Sequence, residues 1–272
     1  MHRGFLWLLG ALGLLALGCG KSSADVLLEP PAAADSGVAP DDAYLQTAAK
    51  NFGYVQLHVS RGNQIVAFRT IMNVPAVPTA TAGTLFLTTG LQPGGQNYDP
   101  IDNGVLEAVL TWGSTCAPNA PSGASTSFWI SGQYVNTYGN YAGYTGCHGG
   151  EGMLVQVGDP LSIHLTLAGT VWTTDIEDLG TGGDVTFTWD LLGQSQNYAQ
   201  FWLDPASTEP VADSIFNATT ITFAEPEPDA CLPDLRGHTD FFSNPRVSSD
   251  GTQCSIERIV LRAQGVPATS QN

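Results

Sequence analysis

The sequence predicts an all-β fold, an antiparallel β-sandwich, on three observations. Apolar and polar residues alternate with period two in segment after segment, as in Leu161-Ser162-Ile163-His164-Leu165-Thr166-Leu167. That period puts every second side chain on one face of a sheet. Helical spacing is almost absent after residue 50. The 31 glycines and 17 prolines gather largely between the alternating segments, where they punctuate many short strands joined by turns.

The N-terminal segment stands apart from that fold. Met1-His2-Arg3 is a short basic start, and Gly4 to Gly18 is an apolar run of fifteen residues. A membrane span needs about 20 apolar residues, so residues 1–18 are expected to be a secretory signal peptide. The run ends Leu15-Ala16-Leu17-Gly18-Cys19, which resembles a bacterial lipobox. The resemblance implies an exported lipoprotein acylated on Cys19 and held at the cell envelope. Gly20, rather than Asp, implies the outer membrane if the cell is Gram-negative. Membrane contact is then through the lipid anchor only. The competing expectation is an ordinary signal peptide that happens to end near a cysteine. Residues 19–43 are rich in Ala, Ser, Pro and Asp and hold few large apolar groups, which predicts a flexible tether. Residues 44–272 remain for a single sandwich domain with a full core.

Strands are expected at 54–59, 63–71, 83–89, 104–113, 126–135, 152–157, 161–167, 171–177, 184–189, 198–203, 214–223 and 256–263. In Val105-Leu106-Glu107-Ala108-Val109-Leu110-Thr111-Trp112, alternation sets Leu106, Ala108, Leu110 and Trp112 against Val105, Glu107 and Val109. In Tyr198-Ala199-Gln200-Phe201-Trp202, it groups Tyr198, Gln200 and Trp202. Residues 224–254 are rich in Pro and Asp and predict a long surface loop.

Twenty-five acids against nine Lys and Arg give a net charge of −16. Nucleic acid is excluded as a partner, because it requires clustered cations against phosphate, and no Lys follows Lys50. Of five cysteines, Cys19 is assigned to the lipid. Cys116, Cys147, Cys231 and Cys254 are an even set for an oxidising compartment. Four cysteines allow three pairings; the expected one joins nearest neighbours, Cys116–Cys147 and Cys231–Cys254.

No metal or cofactor is called for. The sequence has no C-x-x-C pair, no HExxH, no G-x-S-x-G elbow and no phosphate-cradling Gly-rich loop. His148 beside Cys147 is a lone ligand candidate, and no spaced Asp/Asn loop suggests calcium. His58 and His164 fall on polar-facing strand positions, and nothing marks a Ser/His/Asp triad. A carboxylate inside a strand is more informative. Glu107 sits between valines, where desolvation would favour its neutral form and make it a candidate acid or base. The alternative is a strand Glu that faces water.

Residues 83–93 and 98–113, with Phe128-Trp129-Ile130-Ser131, Val157-Gly158-Asp159-Pro160-Leu161 and Asn197-Tyr198-Ala199-Gln200-Phe201-Trp202-Leu203-Asp204, resemble the glutamic peptidase (eqolisin) superfamily. The resemblance implies two curved antiparallel sheets of the concanavalin-like, jelly-roll sort, with a cleft on a concave face. It also implies a catalytic Gln and Glu on neighbouring strands. The family's Gln slot here reads Val105-Leu106-Glu107, and its Glu slot reads Ala199-Gln200-Phe201. The two residue types are exchanged. Two functions follow as expectations: an endopeptidase using Glu107 and Gln200, or a catalytically silent envelope module that binds peptide or glycan on the same face. Either is expected to be a monomer meeting a polypeptide substrate or ligand. Asp204 makes a poor second carboxylate for a glycosidase, because Asp204-Pro205 reads as a strand end.

Overall fold

The computed structural model describes residues 53–60, 62–78, 84–93, 104–113, 115–136, 145–205, 212–229, 231 and 241–261. The expected signal peptide, Cys19 and the expected tether, residues 1–43, lie outside the described residues.

Among the described residues, fifteen strands form two antiparallel sheets. In chain order they are β1 (Gly53–His58), β2 (Ile65–Asn73), β3 (Leu85–Gln92), β4 (Val105–Trp112), β5 (Phe128–Asn136), β6 (Gly146–Gly149), β7 (Met153–Leu154), β8 (Pro160–Ala168), β9 (Val171–Asp178), β10 (Asp184–Asp190), β11 (Tyr198–Pro205), β12 (Ser214–Phe223), β13 (Phe241–Ser243), β14 (Arg246–Val247) and β15 (Gln253–Leu261). One sheet runs β1-β11-β3-β4-β5-β6, with β7 also on β5; the other runs β10-β9-β8-β2-β12-β15-β13, with β14 also on β15. The only helical element among the described residues is a short 3-10 turn, Ala124–Thr126.

The core lies between the sheets. Leu87, Leu106, Leu110, Ile130 and Phe201 from the first sheet join Phe68, Met72, Ile163, Trp172, Phe216 and Ile259 from the second in one buried cluster. Phe201 packs on Phe216 edge-on at 4.8 Å and on Phe68 at 5.6 Å, a favoured geometry for aromatic pairs. The alternation read from sequence is the reason these side chains meet. In β9, Trp172, Thr174, Ile176 and Asp178 are buried while Val171, Asp175 and Glu177 are exposed.

Four expectations are corrected. The strand expected at 152–157 shrinks to Met153–Leu154, because the Gln156–Asp159 segment folds back on itself, with Asp159 Oδ2 accepting the Gln156 N–H at 2.7 Å. β6 was not expected; its sequence, Gly-Cys-His-Gly, carries no apolar alternation. The last strand begins at Gln253 rather than Ile256. Residues 224–254 are not all loop: β13 and β14 pair with β15. The apolar Phe241, Phe242 and Val247 were hidden there among turn residues.

Both expected disulfides are formed, Cys116–Cys147 with Cα atoms 5.8 Å apart and Cys231–Cys254 with Cα atoms 5.6 Å apart. The segment after β12 is also tied down by Glu227. Its carboxylate accepts hydrogen bonds from the Ser60 hydroxyl, the Ser60 N–H and Asn63 Nδ2. Burial alone would raise this carboxyl, but those bonds and the nearby His58 outweigh it and hold it below its ordinary value.

Candidate active site

Glu107 and Gln200 lie on the face of the first sheet that points away from the core. Leu106, Ala108, Leu110 and Trp112 belong to the inter-sheet cluster, so alternation sends Glu107 to the opposite side. In β11, Ala199, Phe201 and Leu203 enter the core, which sends Gln200 to that same outer face.

Strand pairing then aligns residues that are far apart in sequence. Gln56 on β1 is the cross-strand partner of Gln200 on β11. Gln200 is the partner of Gly90 on β3, Gly90 of Glu107 on β4, and Glu107 of Gln133 on β5. One row therefore reads Gln56, Gln200, Gly90, Glu107, Gln133. Neighbouring strands stand about 4.8 Å apart, which puts the Gln200 and Glu107 backbones roughly 10 Å apart with one residue between them. That residue has no side chain. The carboxyl and the amide flank a gap that any other residue type would fill.

Gly90 is required sterically. A Cβ there would lie 2.5 Å from the Leu106 carbonyl oxygen and 2.7 Å from Glu107 Cβ. Both strands are held by pairing on each side, so neither recedes easily.

The row is shielded from solvent. Relative exposures are 6% for Gln56, 1% for Gln200, 4% for Glu107 and 2% for Gln133. Glu107 thus does not face bulk water, the bland alternative for a strand carboxylate. Gln133 Nε2 donates to Ser131 Oγ at 3.0 Å, which fixes that amide's orientation beside Glu107. Gln200 differs: neither its Nε2 nor its Oε1 has a hydrogen-bond partner, and Gln56 Nε2 has none either. A buried polar group left unsatisfied costs about 1–3 kcal/mol. Three such atoms stand together on the cross-strand partners Gln56 and Gln200.

Aromatic residues border the row. Tyr198 and Trp202 flank Gln200 on the same face and are half-buried. Exposed His58 stacks on Tyr198 with ring centroids 5.6 Å apart. At the other end, the Cys116–Cys147 disulfide ties the segment after β4 to β6, and Cys147 is the partner of Val135. Trp129, fully buried on β5, donates its indole N–H to the Gly113 carbonyl at 3.2 Å and packs with Ala117 and Ala124.

Sequence reasoning found Glu107 and Gln200 but missed Gln56, Gly90 and Gln133. Each missed glutamine occupies the non-core parity of an alternating strand, which was the available signal. Asp204 pairs with Phe86 four residues along β11 from Gln200, near the strand end as expected.

A second constellation lies on the other sheet. A cavity of about 300 Å³ is lined by Ser162, His164, Asp175, Glu177 and Asp184, among others. Ser162 Oγ and His164 Nε2 are 3.3 Å apart. Burial, with Arg69 nearby, lowers the His164 pKa against the opposing pull of Asp175 and Glu177. A hydrolytic triad also needs oxyanion donors, and β8 is paired along its length to β2 and β9, which occupies its amides. Asp175 is engaged by the Thr186 hydroxyl at 2.7 Å. Among the described residues no group of three or more His, Cys, Asp or Glu is placed to hold a metal. His148 lies instead against Trp189, with ring centroids 4.6 Å apart.

The sequence matches no protein-family model and no curated protein. Among solved structures, it is similar to scytalido-glutamic peptidase bound to a peptide-based transition state analog. The identity is 15%, with 76% of this chain and 98% of that chain covered, at a TM-score of 0.44. It is also similar to SCP-B, a member of the eqolisin family of peptidases in complex with the tripeptide Ala-Ile-His (14% identity, 76% and 98% covered, TM-score 0.40). A glycoside hydrolase family 16 endo-glucanase from Bacteroides ovatus is a further neighbour (13% identity, 76% and 79% covered, TM-score 0.34). Likeness at this level concerns the fold and carries no information on activity.

Proposed function

We propose that this chain is an eqolisin-like endopeptidase that hydrolyses peptide bonds with Glu107 as general base and acid and Gln200 as oxyanion donor. The observation that carries the proposal is the shared row. The two residues singled out in sequence stand on one face, both buried, with only Gly90 between them.

The chemistry follows from those groups. A water in the gap gives a proton to the Glu107 carboxylate as its oxygen attacks the scissile carbonyl carbon. Negative charge collects on the carbonyl oxygen, and Gln200 Nε2, which has no other partner, donates to it. Protonated Glu107 then passes its proton to the leaving nitrogen, the C–N bond breaks, and the carboxylate is restored. Compared with the family pattern, acid and amide have changed places across the gap. The reaction survives the exchange if the two positions are equivalent about the scissile carbonyl, because either can then carry the base.

The proposal includes export and acylation of Cys19, so that a monomeric sandwich domain meets polypeptides at the cell envelope. The lipid supplies the only membrane contact. The test is hydrolysis of acid-unfolded haemoglobin by the purified mature domain between about pH 2 and 6, beside Glu107→Gln. Cleavage that Glu107→Gln lowers by about 10²-fold or more supports it. Equal cleavage by both proteins refutes it.

One observation favours a second function, a silent module that binds peptide or glycan. Tyr198 and Trp202, two aromatic residues on the face of the amide row, are only half-buried. Saturable binding without turnover would select this alternative.

A further inference from the structure

We infer that Gln56 is a substrate-binding residue, and that Gln56 and Gln200 together hold one residue of an extended polypeptide by its backbone N–H and carbonyl. Its link to catalysis rests on the proposed peptidase function; the backbone binding does not.

The unsatisfied atoms define the ligand. Gln56 and Gln200 are cross-strand partners, so their side chains leave adjacent strands side by side on one face. Both are more than nine-tenths buried. The atoms without partners are Gln56 Nε2, Gln200 Nε2 and Gln200 Oε1. In chemical terms these are two donors and one acceptor. An extended peptide residue offers the complement: its N–H and C=O point to the same side, and the carbonyl oxygen has two lone pairs. Both Nε2 groups donate to that oxygen, and Gln200 Oε1 accepts the N–H. The held carbonyl lies beside the Gly90 gap, on the Glu107 side of Gln56. In the proposed reaction this gives the developing oxyanion a second donor.

A glycan fits less well. Sugar recognition relies on an open aromatic face with hydroxyl partners around it, and Tyr198 and Trp202 are half-buried here. Gln56 and Gln200 are both neutral amides, so the pair selects a neutral backbone group rather than an anionic or cationic side chain.

The test uses the mature chain and two probes, N-acetyl penta-alanine amide, which offers backbone groups alone, and cellohexaose, which offers none. Calorimetry compares wild type with Gln56→Leu. The expected result is binding of the peptide by wild type, weakened about tenfold or more in Gln56→Leu, with a melting temperature equal to or above wild type because an unsatisfied amide has been removed. In the hydrolysis assay the same variant is expected to lose about tenfold or more in kcat/KM. The Gln56 and Gln200 side-chain amide resonances of wild type should also shift on adding the peptide, a readout that needs no variant to fold. If wild type binds the peptide through Gln56 but cleaves nothing, the peptidase function falls and this inference stands. Peptide binding that is absent from wild type, unchanged in Gln56→Leu, or accompanied by unmoved amide resonances overturns it. So does binding of cellohexaose alone.

Discussion

Gly90→Ala perturbs the candidate site without replacing Glu107 or Gln200. The added methyl carbon would sit 2.5 Å from the Leu106 carbonyl oxygen, 2.7 Å from Glu107 Cβ and 2.9 Å from Glu107 Cα. Ordinary contacts to carbon begin near about 3.5 Å, so β3 and β4 must part by most of an ångström at this pair. The obstacles are backbone atoms and the Cβ of a paired strand, not the end of a mobile side chain. Overpacking of this sort costs about 1–3 kcal/mol, occasionally more. We expect the upper end of that range, about 3 kcal/mol, and a melting temperature lower by about 6–12 °C for a domain of this size. The activity should fall further than stability alone explains. The methyl group occupies the gap between Glu107 and Gln200, and a displacement of about 1 Å in a reacting geometry can cost on the order of 10²-fold. Thermal unfolding and haemoglobin hydrolysis, measured on the folded variant well below its midpoint, report the two effects separately. A Gly90→Ala protein with wild-type melting temperature and wild-type activity would refute the close approach and the shared gap together.

Three further outcomes are expected. Stability should decline on acidification. Burial would raise the Asp178 carboxyl, but the Thr181 hydroxyl and the Gly180 and Thr181 N–H groups hold it below its ordinary value of 3.8, and Glu227 is held below 4.5. A carboxylate with a lower pKa folded than unfolded stabilises the fold above its unfolded pKa, and the benefit is lost as pH falls through the folded value. Urea midpoints should therefore drop below about pH 4.5, less steeply in Asp178→Asn and Glu227→Gln; identical slopes in all three proteins would contradict this. Replacing Cys231 and Cys254 together with Ala should cost about 3 kcal/mol by loop entropy, read as a lower urea midpoint, and an unchanged midpoint would show that the bridge does not hold the β13–β15 region. In a bacterial host the full chain should incorporate labelled palmitate and Cys19→Ser should not, whereas labelling of both would remove Cys19 as the anchor.

The sandwich was legible because period two and burial coincide. Leu106, Ala108 and Leu110 alternate with Glu107 and Val109 in sequence, and the structure sends the first set into the core. The missed elements lacked that coincidence. Gly146–Gly149 has no apolar alternation to announce a face; it is held by its pairing with β5 and by the Cys116–Cys147 disulfide. β13 and β14 are too short for two periods of alternation. The site was half legible for a related reason. Glu107 stood out because a carboxylate between valines is unusual, and Gln200 because it filled a recognisable slot. Gln56 and Gln133 look like any polar-facing residue. They join the site only through the pairing of β1 with β11 and β4 with β5, and the pairing of β3 with β11 and β4 completes the row through positions 56, 200, 90, 107 and 133. Spacing along the chain does not encode that register. Gly90 was hidden likewise: its role is a missing side chain opposite Glu107.

The central claim is that an acid and an amide act as a pair across the Gly90 gap. Exchanging them back tests it most directly, by comparing haemoglobin hydrolysis in Glu107→Gln with that in the double variant Glu107→Gln, Gln200→Glu. The single variant has two amides and no base, and should be reduced by about 10²-fold or more. The double variant regains one carboxyl on the other side of the same gap, and we predict that it recovers at least about tenfold over the single variant. A folded double variant as inactive as Glu107→Gln, beside an active wild type, would contradict the claim.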